Sequence, residues 1–407
     1  MYIASAASSD ADPEVALASL CGGLPLEERG PPDFVALQIN AAYDCDQVRK
    51  RAGALGAAMV HGATSCLGVM TEKGIFGGAH CGMGCLALWD TEGDYGTASM
   101  PLGEDASAAA ATAVRRALLG AGRAGEAPEL VWLSATPGQE EAILQGIESV
   151  VGTNTPILGG SAADNSLRGE WQVFDRARSL SDGLVVTVLF PSRPLSMAFQ
   201  SGYTPTERRG HVTKATGRRL HRINDRPAAE VYAEWAGRND GEALPKVDHV
   251  LPDWPHSILA DSTFRPLGRE VAQLNQVPLY LLAHPFQLNE DGSLDLLANV
   301  RVGDWLVLME TSREHLVSRA ARTARMARSA EKAAETRQAA ALMIICATCM
   351  LAVRDSLKEI AQEISAALDG GPFLSLFSFG EQGALARNTN QHGNLMISCV
   401  TFSSDRT

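Results

Sequence analysis

The chain has 407 residues, of which 45% are hydrophobic and 20% are charged, and its 35 Lys and Arg against 47 Asp and Glu give a net charge of −12. This composition is typical of globular proteins and excludes a largely disordered chain, while the acidic balance argues against a general nucleic-acid binder, which would present a basic surface. No apolar run reaches the ~18 to 20 residues that cross a bilayer, and the first residues lack a secretory signal. Eight cysteines in so long a chain do not form a disulfide scaffold. We therefore expect a cytoplasmic protein that binds no membrane.

Strands and helices alternate along the first half of the chain. Short apolar runs predict strands, and helical spacing of apolar residues predicts helices. The predicted strands lie at 34–39, 77–89, 130–134 and 184–189, and the predicted helices at 45–59, 104–119 and 140–151. Neighbouring carboxylates on the last of these helices, Glu140 and Glu141, are expected to point to different faces. The alternation predicts the α/β class.

The second half opens with a basic segment at 208–226, which suits either an anionic group or a solvated strand edge. The predicted elements after it are a helix at 228–235, a proline-rich loop at 245–266, strands at 277–283, 294–300, 305–309, 341–346, 373–379 and 395–402, and helices at 312–338 and 350–368. We predict two modules, 1–202 and 203–407, each a mixed β-sheet flanked by helices. Their similar size and style hint at duplication.

Cysteines form two groups along the chain. Cys346 and Cys349 are spaced as C-x-x-C where a strand gives way to a helix, and His80, Cys81 and Cys85 form the other group. The C-x-x-C spacing suits a redox pair, both groups together could hold zinc, and buried thiols also serve as small core residues. Apolar neighbours of Cys346 and Cys349 favour packing, with redox and metal as open alternatives.

A glycine-rich loop contains Gly159, Gly160, Ser161 and Asp164. Glycines let backbone amides approach a ligand, and Asp164 supplies an acceptor. The alternative is a tight turn in which Asp164 caps the following segment. The loop is neither a dinucleotide fingerprint nor a P-loop, because its spacing differs and the lysine is absent.

The sequence contains no G-x-S-x-G elbow, no H-E-x-x-H motif and no kinase signature, so we expect a protein that is not an enzyme. Nine histidines are scattered along the chain, among them His284 after an apolar strand and His392 before one. A neutral imidazole is a common ligand to haem iron, although a single histidine is more often a hydrogen-bonded structural residue.

Taken together, these segments resemble the FIST family, whose N- and C-terminal modules occur in bacterial sensory proteins. The motifs that carry the resemblance lie at 62–68, 159–164, 217–228, 346–354, 379–381 and 392–394. The resemblance implies a ligand-sensing protein instead of a catalyst. Family members that have both modules and no output domain resemble haem-binding nitric-oxide sensors, which act on a partner histidine kinase. We expect this chain to be such a protein, because the two modules account for all of its predicted elements.

The leading hypothesis is therefore a sensor that binds haem between the modules and responds to nitric oxide. His392 is the preferred metal ligand, with His284 and Cys346 as alternatives. Arg354 or Arg387 is expected to pair with the propionates, and Glu381 is expected to be a further haem-binding residue. The second hypothesis is an amino-acid sensor in which Asp164 holds an ammonium group, Arg354 a carboxylate, and Gly159 and Gly160 supply amides. The expected ligand-binding set is completed by Cys66, Ser161 and Asn394.

The third hypothesis is a thiol redox protein that uses Cys346 and Cys349. We expect no nucleic-acid partner, and a homo-oligomer is compatible with the sequence.

Overall fold

Residues 1–77, 81–237, 256–329, 338–385 and 389–404 are described by the computed structural model of the chain. Several sequence expectations concern residues outside these ranges. They are His80, Arg387, residues 78–80 of the strand predicted at 77–89, residues 245–255 of the proline-rich loop, and residues 330–337 of the helix predicted at 312–338.

Helices and strands alternate in the first 200 residues, as the sequence predicts. The helices are α1 (Pro13–Gly23), α2 (Leu26–Arg29), α3 (Cys45–Arg51), α4 (Ala106–Gly120) and α5 (Glu140–Val151), with a 3-10 helix at Ala52–Leu55. The strands are β1 (Tyr2–Ser8), β2 (Phe34–Asn40), β3 (Met59–Ser65), β4 (Gly68–Thr71), β5 (Gly74–Gly77), β6 (Met83–Trp89), β7 (Asp94–Pro101), β8 (Leu130–Ala135), β9 (Ile157–Ser161), β10 (Val173–Phe174), β11 (Ser179–Leu180), β12 (Gly183–Phe190) and β13 (Leu195–Gln200).

The remaining residues form a strand-rich segment followed by a second α/β segment. The strands are β14 (Thr204–Thr216), β15 (Arg219–Ile223), β16 (Arg226–Pro227), β17 (His256–Ser257), β18 (Leu267–Leu274), β19 (Val277–Ala283), β20 (Pro285–Leu288), β21 (Leu294–Leu296), β22 (Trp305–Glu310), β23 (Gln338–Cys346), β24 (Phe373–Ser378), β25 (Glu381–Leu385), β26 (Thr389–Gly393) and β27 (Ile397–Ser404). The helices are α6 (Ala228–Ala236), α7 (Arg313–Ser329), α8 (Ala347–Ala352) and α9 (Leu357–Ala367), with 3-10 helices at Asp261–Phe264 and Arg354–Ser356.

Three six-stranded sheets share one strand plan. Sheet I has the order β1-β6-β2-β3-β10-β11, sheet II the order β7-β12-β8-β9-β25-β26, and sheet III the order β13-β27-β23-β24-β4-β5. In each sheet the third and fourth strands are parallel, and all other pairs are antiparallel. The chain therefore contains three equivalent units, which is a finer repeat than the similarity of its two halves suggests.

Each unit lends a hairpin to the sheet of another unit. The hairpin β4–β5 from the first unit completes sheet III, β10–β11 from the second completes sheet I, and β25–β26 from the third completes sheet II. The predicted α/β class, with mixed sheets flanked by helices, is confirmed. The predicted module boundary at 202 falls between β13 and β14, and the exchange of hairpins crosses it in both directions.

A fourth sheet is inserted into the third unit between β13 and α7. Sheet IV has the order β17-β20-β21-β15-β14-β22-β18-β19, with β16 beside β15. It contains the strands predicted at 277–283, 294–300 and 305–309.

The inner faces of sheets I, II and III meet in one shared core. Phe34 from sheet I, Trp132 from sheet II, and Leu342 and Phe402 from sheet III belong to one buried cluster. The outer faces pack against helices: α1 and α3 cover sheet I, α4 and α5 cover sheet II, and α7 and α9 cover sheet III. Strands with both faces covered consist of continuous apolar residues, which is why runs such as 130–134 and 184–189 could be recognised as strands.

Gly159 provides a test of whether the glycines of β9 serve packing or ligand binding. A Cβ atom at this position would lie 1.9 Å from the carbonyl oxygen of Leu133 in β8. We expect Gly159→Ala to lower the free energy of unfolding by about 2 kcal/mol or more, because backbone must move to relieve the clash. In the control Gly22→Ala, the Cβ atom meets nothing within 4 Å on α1, so urea denaturation should show equal or slightly higher stability. Equal unfolding midpoints for both variants would contradict the packing role.

Candidate functional site

The carboxyl ends of the parallel strands β3, β9 and β24 meet at one place. Their last residues are Ser65, Ser161 and Ser378, all fully buried. Backbone hydrogen bonds join the three chain segments there: Cys66 N to Phe377 O at 3.0 Å, Ala163 N to Thr64 O at 3.0 Å, and Ser161 N to Gly380 O at 2.7 Å. Ligands of α/β proteins usually bind beyond the carboxyl ends of strands, so this junction is the first place to look for a site.

A cavity of about 590 Å³ opens at this junction, and we call it the strand-end cavity. One residue that follows each strand lines it: Cys66 after β3, Asp164 after β9 and Phe379 after β24. The other lining residues are Asn165, Ser166, Leu167, Leu259, Ala260, Thr263, Phe264, Thr348, Leu351 and Ala352. This volume lies in the range of small-molecule pockets. All three units and the segment that joins β17 to β18 of sheet IV therefore contribute to one cavity.

The walls of the strand-end cavity are mainly apolar. Leu259, Phe264 and Phe379 are partly buried against it, while Leu167 and Leu351 are 59% and 42% exposed. The ring of Phe379 packs edge-on against Trp171 with centroids 6.0 Å apart. A ligand that covers this apolar lining removes it from water, which contributes favourable free energy to binding.

Asp164 faces the cavity, but its carboxylate is fully engaged by its own loop. Five backbone N–H groups, those of residues 166–170, donate to its two oxygens at 2.5–2.9 Å. Burial raises the pKa of Asp164, but these hydrogen bonds outweigh it and lower the pKa below its ordinary value. Asp164 thus caps the loop that forms one wall, and no free lone pair is aimed at an ammonium group.

The neighbouring polar groups are also engaged or neutral. Asn165 Oδ1 accepts from the amide of Leu67 at 2.8 Å, and its Nδ2 donates to Asn40 Oδ1 at 2.8 Å. Burial, with smaller contributions from Asp164 and Cys346, raises the pKa of Cys66 to about 12, so its thiol is protonated at neutral pH. The cavity therefore offers an apolar surface with a few neutral polar groups.

The other predicted ligand residues lie elsewhere. Gly159, Gly160 and Ser161 are the last residues of β9, inside sheet II. A Cβ atom at Gly160 would lie 2.6 Å from Ile344 Cγ2, so this glycine allows sheets II and III to pack closely. Of the predicted ligand set, the structure brings only Cys66 and Asp164 to the strand-end cavity.

His392 belongs to a closed polar cluster between β9, β25 and sheet IV. It is 2% exposed, its Nδ1 lies 3.2 Å from Gln382 Nε2, and its Nε2 lies 3.4 Å from the carbonyl oxygen of Leu297. Gln382 Nε2 also donates to Ser161 Oγ at 3.3 Å. Asn394 donates from Nδ2 to the same Leu297 oxygen at 3.3 Å. These contacts give His392 and Asn394 structural partners within the fold.

The same cluster contains an ion-pair site that the sequence did not indicate. Ser161 Oγ donates to Glu140 Oε1 at 2.8 Å, and Arg218 from sheet IV donates to Glu140 at 2.5 Å and Glu141 at 3.2 Å. The expectation that the two carboxylates face apart was wrong, because both lie in the first turn of α5 and reach one guanidinium. Burial raises the pKa of Glu140, but His392 and Arg218 outweigh it and lower the pKa to about 2. This ion pair fastens sheet IV to the second unit.

The predicted haem residues do not surround a common space. His392 is enclosed as described above, Cys346 is 5% exposed in the core, and the Arg354 side chain is 76% exposed beside Asp355. None of the described residues that line the strand-end cavity is a histidine. Within the described residues, no group of three or more His, Cys, Asp or Glu could hold a metal ion. The arrangement does not fit an iron ligand from His392 together with propionate contacts from Arg354.

Comparison with known families settles the relationship of the chain. Residues 33–226 match the FIST N domain, and residues 228–384 match the FIST C domain. The chain belongs to the FIST family. FIST domains are sensory modules of signal transduction that bind small ligands, and a cavity lined by both matched regions agrees with that role.

Individual relatives are distant from this FIST protein. An uncharacterised protein of Methanocaldococcus jannaschii is 26% identical over 165 residues, and the match covers 40% of this chain but less than a third, 30%, of the relative. Among solved structures, a crystal structure of cyanuric acid hydrolase from A. caulinodans aligns over 99% of both chains, with 10% identity and a TM-score of 0.39.

The expectation that the chain is not an enzyme is contradicted by the last comparison, because the aligned solved chain is an enzyme. We therefore withdraw that expectation. At a TM-score of 0.39 the similarity carries no argument about a reaction in this FIST protein.

In the described residues, no helix is both long and apolar enough to span a bilayer.

Arg218 provides a test of the ion pair that holds sheet IV. We expect Arg218→Met to lower the free energy of unfolding at pH 7 by about 2 kcal/mol, because Glu140 would stay buried without its partner. The pKa of Glu140 is lowered in the folded state, so its stabilisation is present above its ordinary value of 4.5 and is lost as the pH falls towards 2. The difference between wild type and variant should therefore shrink when urea denaturation is repeated at pH 3.

Arg219→Met is the matched control, because the neighbouring Arg219 pairs with Asp295 at the surface. It should change stability little at either pH. A difference for Arg218→Met that is independent of pH would argue against an ionised Glu140 as the reason for the effect.

Proposed function

We propose that this FIST protein senses a small, largely apolar molecule that binds in the strand-end cavity. The observation that carries the proposal is the cavity itself: about 590 Å³, mainly apolar walls, and one lining residue from each of the three strand ends. A ligand in this position contacts all three units and sheet IV at once. It can therefore favour one arrangement of these parts over another, which is what a sensor needs.

The chemistry of the walls defines the ligand class. Burying an ammonium group requires an acceptor, and the carboxylate of Asp164 is already saturated by five amides. Arg354, the expected partner of a carboxylate, is not among the lining residues. A neutral ligand with an apolar body and one hydrogen-bonding group, within reach of the Thr348 hydroxyl, suits the cavity better than a free amino acid.

The remaining parts of the proposal rest on the family resemblance and on the cysteines. From the resemblance we propose a partner histidine kinase as the recipient of the signal. The eight cysteines are all free, which supports the cytoplasm as the location, because reduced thiols persist there. Haem and nitric oxide remain predictions from the resemblance, and the residues that line the cavity do not support them.

Filling the strand-end cavity should weaken ligand binding. We expect Ala352→Trp, on the cavity side of α8, to weaken binding of the neutral apolar fluorophore N-phenyl-1-naphthylamine by at least about tenfold, a loss of ~1.4 kcal/mol. Fluorescence titration of the folded protein measures the affinity. A thermal-shift screen with small neutral apolar compounds should raise the melting midpoint of the wild type in a concentration-dependent way, and not that of the variant.

Ala142→Trp is the control, because Ala142 is a similarly half-buried helical alanine on α5, away from the cavity. It should leave the affinity unchanged. Equal binding by all three proteins would place the fluorophore elsewhere and would remove the support for this site.

Absorption spectroscopy tests the haem prediction separately. Because His392 is enclosed and no described lining residue is a histidine, we expect no stoichiometric Soret band after haem is added to the purified protein. A one-to-one band that shifts with nitric oxide and disappears in His392→Ala would establish the haem prediction and require the His392 cluster to open.

A further inference from the structure

The helix α8 separates the strand-end cavity from a second cluster of chemically capable residues. Thr348, Leu351 and Ala352 line the cavity, whereas Cys349 is 2% exposed on the side of the helix that packs into the core. Cys346, the residue before α8, is 5% exposed. The cluster is built from three further elements: Tyr203 before β14, Arg319 on α7 and Glu381 on β25.

The two cysteines lie at the start of α8, and one of them contacts a phenol. Cys346 is the N-cap residue of the helix and Cys349 is its third residue, and the Tyr203 hydroxyl lies 3.5 Å from Cys349 Sγ. The C-x-x-C spacing is the one found in dithiols that close to a disulfide. Of the three cysteine interpretations, this spacing and the polar neighbours Tyr203 and Arg319 favour redox chemistry over packing alone.

Arg319 is a buried cation without a complete set of partners. It is 2% exposed, and its Nη1 donates to the carbonyl oxygens of Ser201 and Leu395 at 2.7 Å each. Its Nη2 is buried and has no hydrogen-bond partner among the described residues. A buried guanidinium is costly unless an anion balances it.

Two groups near Arg319 can carry the balancing charge. Burial raises the pKa of Glu381, whose oxygens contact Ser378 Oγ at 2.6 Å and the amide of Met396 at 2.9 Å. Burial also raises the pKa of Cys349, but the Cys346 thiol, the charge of Arg319 and the Tyr203 hydroxyl outweigh it and lower the pKa below its ordinary value. The sulfur of Cys349 is therefore the better anion.

The single proton of Tyr203 connects this cluster to the cavity wall. The hydroxyl donates to the carbonyl oxygen of Thr263 at 2.7 Å, and Thr263 lines the strand-end cavity. A phenol has one proton to donate, so a thiolate at Cys349 competes with Thr263 for it.

We propose that Cys346 and Cys349 are a redox-active dithiol that a small hydroperoxide oxidises to a disulfide, with Arg319 holding the attacking sulfur as thiolate. The size of the oxidant follows from the space beside the sulfur. A void of about 10 Å³, lined by Cys349, Arg319 and apolar side chains, is at the lower limit for one water molecule. This size excludes glutathione disulfide and other proteins. Hydrogen peroxide, the smallest hydroperoxide, is larger than water and enters when the apolar side chains around the void shift.

The reaction balances without further reactants. The Cys349 thiolate attacks one oxygen of hydrogen peroxide, the O–O bond breaks, and Cys349 sulfenic acid and hydroxide form. Hydroxide takes the proton of the Cys346 thiol and becomes water. The Cys346 thiolate then attacks the sulfur of the sulfenic acid, so that the S–S bond forms and hydroxide leaves. Two thiol sulfurs are oxidised and one peroxide is reduced.

The test exposes the purified full-length protein to hydrogen peroxide and counts thiols after denaturation. We expect two of the eight thiols to be lost, and peptide mapping by mass spectrometry to find a disulfide between Cys346 and Cys349. Thiols that all survive, or a disulfide mapped to other cysteines, would overturn the proposal. This mapping uses the wild type, so it does not depend on whether a variant folds.

Variants then test the role of each group. Cys349→Ser should abolish the disulfide, whereas Cys399→Ser, which removes a fully buried thiol in β27, should leave its formation unchanged. Arg319→Met should slow oxidation at pH 7 by about fivefold or more, because a rise of one unit in the pKa of Cys349 from about 7 lowers the thiolate fraction from about one half to about one tenth. Arg319→Lys should restore most of the rate. Equal rates for Arg319→Met and the wild type, in folded proteins, would show that the guanidinium does not hold a thiolate.

Discussion

The exchange of hairpins is the constraint on which the rest of the structure depends. In each of sheets I, II and III, one edge of the parallel pair is paired only by a hairpin from another unit. Without that hairpin, β3, β9 and β24 would leave backbone donors and acceptors unpaired inside the protein, which is costly. The three units must therefore assemble together. The strand-end cavity exists only in the assembled arrangement, because one residue beyond each of these strands lines it.

Sheet IV converts a repeating framework into an asymmetric site. The three strands end at equivalent serines, but the residues that follow differ: Cys66, Ala162 and Phe379. The insertion in the third unit then places Leu259, Phe264 and their neighbours over one side of the junction. The ion pair of Arg218 with Glu140 fixes the inserted sheet to the second unit. A change at this ion pair can thus reach the cavity through the position of sheet IV.

Much of the secondary structure was predictable from local sequence, whereas the site mostly was not. Runs such as 130–134 and 184–189 are apolar on both faces, so burial alone identifies them as strands. The hairpin exchange depends on pairing between distant segments, which local patterns do not encode. His392 lies among polar residues and was expected to bind haem iron, yet β26 pairs with β25 inside the protein and leaves it 2% exposed. For Asp164 the sequence left ligand and cap equally open, because only the loop geometry shows which donors reach the carboxylate.

Arg319 is difficult to explain as a purely structural residue. Its Nη1 donates to the carbonyl oxygens of Ser201, after β13, and Leu395, before β27, and so connects these two segments. The neutral amide of a glutamine or asparagine could make the same two hydrogen bonds at a lower desolvation cost. A guanidinium adds a charge, which the Tyr203 ring at 5.9 Å stabilises in part and an anion would balance fully. The sulfur of Cys349, beside the Tyr203 hydroxyl, can become this anion, and α8 carries Cys349 on one side and the cavity wall on the other. A change of charge at the sulfur and a change of occupancy in the cavity therefore act on the same helix.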